Sequence, residues 1–104
     1  MGDVPELPMA HVELYSTSAT SLLKTKKAIQ SIRYLLDAKR INFEEYDVSM
    51  DAMRREEMQD KSGDSALPQL FINGKYVGGW EEVEMLNEQG TLDELLLTPP
   101  EFMT

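Results

Sequence analysis

The chain contains no cysteine, and this absence removes disulfides, thiolate metal sites and cysteine nucleophiles together. It has a single histidine, His11, so the common zinc centres cannot be built, and a serine nucleophile would have only this one imidazole to call on as its base. Positive charge is also scarce. Ten basic against nineteen acidic side chains give a formal net charge of -9, which repels phosphate backbones and anionic lipid surfaces. Nucleic acid and membrane are therefore not expected partners, and the charge favours a soluble monomer. No apolar run approaches the roughly 20 residues needed to cross a bilayer. Met1 to Met9 carries Asp3, Glu6 and two prolines and lacks the basic start and apolar stretch of a signal peptide. The expected compartment is the cytosol, with the nucleus as an extension of it.

The 104 residues leave room for one compact domain. Residues 1–9 read as a flexible lead-in, 10–98 as the domain and 99–104 as a tail after Thr98-Pro99-Pro100, because proline cannot continue a helix. From His11 to Tyr15, Val12 and Leu14 alternate with His11, Glu13 and Tyr15, which predicts a half-buried strand. The hydroxyl-rich run Ser16 to Ser21 follows and is expected to cap the next helix. Between Ser21 and Lys39, Leu22, Ile29, Ile32, Leu35 and Leu36 recur at helical spacings and predict one buried stripe, with Lys24, Lys26, Lys27, Gln30 and Arg33 on the other faces.

Asn42 to Val48 is expected to form a second strand, and Asp51 to Asp60 a short helix with Met50, Met53 and Met58 inward. Asp47, Ser49 and Asp51 have the opening spacing of a calcium loop, but Ala52 and Met58 stand where that loop needs glycine and glutamate. Asp47 and Ser49 read as turn and cap residues. Lys61 to Ser65 is polar, contains Gly63 and predicts a loop. Asn73-Gly74 tolerates two positive φ angles, so the apolar runs around it make a hairpin. Trp80 to Asn87 resumes as a helix with Val83, Met85 and Leu86 for packing, and Gly90 ends it. Thr91, with Glu94 three residues on, is expected to cap a last helix that buries Leu92, Leu95 and Leu96. The order strand, helix, strand, helix, hairpin, helix, helix makes an α/β fold: one four-stranded mixed sheet with helices on both faces.

The segments Leu67-Pro68-Gln69-Leu70-Phe71-Ile72-Asn73-Gly74, Val77-Gly78-Gly79, Glu81-Glu82 and Leu86-Asn87-Glu88-Gln89-Gly90 resemble the C-terminal half of a glutaredoxin, a branch of the thioredoxin fold. Tyr15-Ser16 and Phe43 to Ser49 fit the same pattern, so the resemblance covers about 85 to 90 residues, a normal size for one domain. Where a glutaredoxin has its nucleophilic cysteine, this chain reads Thr17-Ser18-Ala19-Thr20. That stretch, with Leu36 to Ile41 and Asp47-Val48-Ser49, is similar to the SH3-domain-binding glutamic-acid-rich-like proteins, which lack the catalytic cysteine pair and are described as modulators or adaptors. The resemblance implies a non-enzymatic module that binds a protein partner through a vestigial glutathione groove formed by Thr17, Ser18, Ala19, Thr20, Leu67, Pro68, Gly79, Trp80 and Glu81. It implies no resident cofactor.

The contrasting expectation is a glutathione-binding protein, or an enzyme that uses glutathione as its own thiol. Against ordinary glutathione affinity stand the bulk of Trp80, the longer arm of Glu81, and Thr17 near where a glutaredoxin usually has a lysine. Weak glutathione binding is the most this reading allows. A purely structural domain without a ligand is the third alternative. The proline-rich run that family members often carry before the third strand is reduced here to Pro68 alone, and the glutamate-rich tail is missing. Pro5-Glu6-Leu7-Pro8 has the bare PxxP spacing of an SH3 ligand, without a flanking basic residue.

Overall fold

The computed structural model describes residues 9–100. Eight elements follow in order: β1 (Val12–Ser16), α1 (Leu23–Ala38), β2 (Glu44–Asp47), α2 (Ala52–Ser62), β3 (Gln69–Ile72), β4 (Lys75–Gly78), α3 (Trp80–Gln89) and α4 (Thr91–Leu96). The sheet order is β2-β1-β3-β4. β1 runs parallel to β2 and antiparallel to β3, with Leu14 opposite Glu45 on one side and Leu70 on the other. The four-stranded mixed sheet and its helices are the thioredoxin fold. No described helix is long and apolar enough to cross a membrane.

Two apolar clusters hold the sheet. Val12, Leu14, Leu70 and Ile72 pack against Ile32 and Leu36 of α1, Val83 of α3 and Leu92 and Leu96 of α4. Tyr15 and Phe71 pack with Val48 and with Met58 of α2, and the Tyr15 and Phe71 rings meet edge to face at 5.2 Å. β1 is consequently buried at every position, Glu13 and Ser16 included. The alternation in its sequence therefore does not mark a wet face. Tyr15 fills the second cluster, and burial first, then the neighbouring Glu13 charge, raises its hydroxyl pKa.

Other expectations need correction. Leu22 is exposed and precedes α1, while Ile29, Ile32 and Leu36 carry the buried stripe. Met50 and Met53 are 81% and 75% exposed, so only Met58 fills the space beneath α2. Met50 lies before the helix and Met53 in its first turn, on the side away from the sheet. Met85 is likewise more than half exposed, leaving Val83 as the buried contact of α3. α2 continues through Ser62, two residues into the stretch read as a loop, before Gly63 closes it in the left-handed region.

The caps also differ from expectation. Leu22 occupies the N-cap position of α1 with no side-chain hydrogen bond, so the hydroxyl run does not cap that helix. Thr91 is the first residue of α4 rather than its cap, a position held by Gly90, which also ends α3. The side-chain cap that does form at α2 is Asp51, which accepts from the Arg54 amide at 3.1 Å. At α3 the Glu82 carboxylate reaches back to accept the Gly79 amide at 2.8 Å. Asn73 and Gly74 both have positive φ, 53° and 80°, as a two-residue hairpin with right-handed strand twist requires.

Candidate functional site

The loop from Thr17 to Thr20 joins the end of β1 to α1, and its hydroxyls are committed to the loop itself. Thr17 Oγ1 accepts from the Ala19 amide and Thr20 Oγ1 from the Leu22 amide, each at 3.1 Å. Asp47, at the end of the adjacent parallel strand, accepts from the Ser18 amide at 3.2 Å, the Ser49 amide at 3.0 Å and the Ser49 hydroxyl at 2.5 Å. The Ser18 and Ser49 hydroxyls lie 3.3 Å apart. These donors at Ser18 and Ser49 pull the Asp47 carboxyl down to about 2. One residue earlier, Ser16 donates to Glu45 at 2.6 Å. Glu45 also takes both arms of the Arg33 guanidinium, and that bonding holds its pKa below the usual range.

The one imidazole is remote from these hydroxyls. His11 lies before β1 and the loop after it, a separation of about 17 Å along five residues of strand. Among the described residues no group of three His, Asp or Glu side chains could hold a metal ion.

Beside this loop lies a groove of about 780 Å³, within the size range of small-ligand sites. The start of α1 forms one wall through Leu23, Lys24, Thr25, Lys27, Ala28 and Ser31. Ala66, Leu67 and Pro68 form the floor, and the Leu67–Pro68 peptide bond is cis. The opposite wall holds Tyr76, Gly79, Trp80, Glu81, Glu82 and Asp64. Buried Gln69 fixes the approach to the floor, donating from Nε2 to the carbonyls of Asp64 at 2.9 Å and Ala66 at 2.8 Å. Gly79 permits the floor and far wall to meet closely, because a Cβ there would stand 3.3 Å from the Pro68 carbonyl oxygen. The Tyr76 hydroxyl pKa is raised, by burial first and then by the Asp64 and Glu82 charges.

The groove thus brings together Leu67, Pro68, Gly79, Trp80 and Glu81, while Thr17, Ser18, Ala19 and Thr20 do not line it. A family model described as SH3-binding, glutamic acid-rich protein matches residues 10–98. The chain belongs to that family. Glutaredoxin 3 of Escherichia coli (strain K12) is 35% identical over 88 residues, covering 85% of this chain and 99% of its own. The solution structure of a Brucella melitensis glutaredoxin matches with a TM-score of 0.66 at 31% identity, over 97% of this chain and 100% of its own. An actin interacting protein of C. albicans matches with a TM-score of 0.71 at 24% identity, over 85% and 89% of the two chains, a likeness of fold. This member of the SH3-binding, glutamic acid-rich protein family is therefore a glutaredoxin-like module without cysteine.

Only part of the groove expected from the resemblance is assembled. Leu67 and Gly79 to Glu81 remain, but Thr17, placed near the usual lysine, is turned into a loop anchored on Asp47. Two cations stand elsewhere, on the α1 wall. Lys24 and Lys27 line the groove, and among the described residues neither has a carboxylate within 4.0 Å. Sequence reasoning placed both with the solvent-facing lysines. The signal available was their row: Lys24, Lys27 and Ser31 recur at spacings of three and four, separate from the row of Lys26, Gln30 and Arg33.

Proposed function

We propose that the protein is a non-catalytic glutaredoxin-like module that binds a partner protein in the groove between α1, the Pro68 floor and α3. The observation that carries this reading is a groove with two walls and a floor that contains no thiol, and whose neighbouring Thr17 and Thr20 hydroxyls are engaged by amides of their own loop. Leu23, Leu67, Tyr76 and Trp80 give the groove apolar and aromatic surface, the kind of residue that anchors protein interfaces. The family's description names SH3 binding, and one neighbour of the same fold is an actin interacting protein. The Pro5 to Pro8 spacing lies outside the described residues.

Two measurements test the reading together. Titration of isotopically labelled protein with reduced glutathione should leave the amides of Leu67 and Gly79 to Glu81 unmoved up to millimolar ligand, with no disulfide reductase activity in a glutathione-coupled assay. A photo-crosslinking residue at position 80 should capture protein in cells, while the same residue at position 34, on an exposed face of α1 outside the groove, should not. Retained capture after removal of residues 1–8 separates the groove from the proline pair. Saturable glutathione shifts confined to the groove would replace this reading with the glutathione-binding one.

A further inference from the structure

We infer that the groove takes an extended segment of its partner in which acidic side chains at alternate positions face α1 and an arginine between them faces the opposite wall. The inference rests on the groove being the binding surface and adds the chemistry of its occupant. The two walls carry opposite charge. Lys24 and Lys27 stand on α1, whereas Asp64, Glu81 and Glu82 stand across from them beside Tyr76 and Trp80.

The α1 cations are left unpaired in a chain with nineteen acidic residues and a net charge of -9; no described carboxylate comes within 4.0 Å of either. The start of α1 also breaks two local rules. It has no side-chain cap and no acidic residue in its first turn, and Lys24 sits there against the positive end of the helix dipole.

Geometry sets the spacing of the occupant. Lys24 and Lys27 are about 4.5 Å apart along the helix axis, and flexible four-carbon arms cover the difference to the roughly 6.6 Å between alternate residues of a strand. The residue between two such acids points the other way. There it meets the wall that holds Tyr76, Trp80, Glu81 and Asp64, aromatic rings and carboxylates of the kind that bind a guanidinium. Glu82 is already engaged by the Gly79 amide. A nucleic-acid strand or a wholly acidic peptide would satisfy the lysines but meet the acidic wall, and a wholly basic peptide would meet the lysines.

The test uses three fluorescein-labelled peptides, Gly-Glu-Arg-Glu-Gly, Gly-Glu-Leu-Glu-Gly and Gly-Lys-Arg-Lys-Gly, read by anisotropy and by amide shifts of the labelled full chain. The first should bind about tenfold tighter than the third, the scale of one charge-assisted hydrogen bond. Its shifts should fall on Lys24 to Ser31 and on Gly79 to Glu81. The variant K24E/K27E, which places acids in the first turns of an exposed helix where the dipole favours them, should fold normally and lose that preference or reverse it. If all three peptides shift the groove equally, or K24E/K27E leaves the ranking unchanged, the charge assignment is overturned and the groove reading stands. If Gly-Glu-Arg-Glu-Gly shifts no groove amide at millimolar concentration while the position-80 crosslinker still captures protein, the occupant is overturned alone. If both fail, the groove reading falls with it.

Discussion

Replacing Gly78 with alanine should be the most damaging single methyl addition in the described structure, and the reason separates two costs that are often merged. Gly78 ends β4 with φ +138°, a conformation that L side chains rarely adopt, and such residues cost about 1–3 kcal/mol. Its Cβ would also lie 2.5 Å from Glu82 Cβ and 2.8 Å from Glu82 Cγ. These atoms are the root of the side chain, not its mobile tip, so α3 itself must shift, at about 1–3 kcal/mol for overpacking. The sum is about 2–6 kcal/mol. Gly63 supplies the control. Its φ is +72°, but nothing lies within 4 Å of a Cβ there, so Gly63→Ala carries only the backbone cost of about 1–2 kcal/mol. For a domain of this size 1 kcal/mol moves the midpoint by roughly 4–8 °C. Thermal unfolding followed by far-UV circular dichroism should show G78A melting roughly 8–48 °C below the parent, and clearly below G63A. Equal losses in the two variants would refute the role given to Glu82, because backbone strain would then account for everything.

Three further outcomes follow from separate features. Asp47 is held at about 2 in the fold, below the ordinary aspartate value of about 3.9, so its stabilisation is present above about pH 4 and drains as pH falls toward 2. The thermal midpoint of the parent should drop across that window more steeply than that of D47N, and parallel curves would contradict the anchor. Arg40 has a positive φ of 58° just after α1, so R40G should stabilise the domain by about 0.5–1 kcal/mol in urea titration; a loss instead would show that the Arg40 side chain supplies more than the strain costs. With no thiol to intercept it, dilute hydrogen peroxide should oxidise Met50, Met53 and Met85 well before buried Met58, as read by peptide mass spectrometry.

Much of the architecture was legible because local signals and global topology agree. Asn73-Gly74 allows one sharp turn, and it lies between two runs that pair as β3 and β4. Ile29, Ile32 and Leu36 repeat at helical spacing and are the residues that α1 buries. The misses share a cause: sequence periodicity reports a face and not what covers it. β1 alternates, yet it is the inner strand between β2 and β3 with clusters on both sides, so Tyr15 and Glu13 are inside. Met50 and Met53 follow the spacing of Met58, but the short β2–α2 connection leaves the beginning of that helix uncovered. At the groove, the family pattern located Leu67, Pro68 and Gly79 to Glu81 but carried the cysteine loop along with them. Asp47 draws that loop toward β2, a long-range contact with no local signature. Lys24 and Lys27 escaped notice because lysine on a helix is ordinarily a solvent residue, and only the groove opposite gives their row a meaning.

The small helix α4 closes the first cluster with Leu92 and Leu96, and its last carbonyl accepts the Ala10 amide at 3.1 Å, just ahead of β1. The beginning of the domain is thus fastened by its end. During vectorial synthesis, β1 can find β2 early but waits for β3 to cover its other edge and for residue 96 to secure its start. A chain halted before Thr91 would carry all four strands but leave the cluster that holds Val12 and Ile72 without Leu92 and Leu96. Docking of α4 is therefore what closes the first cluster around the start of β1.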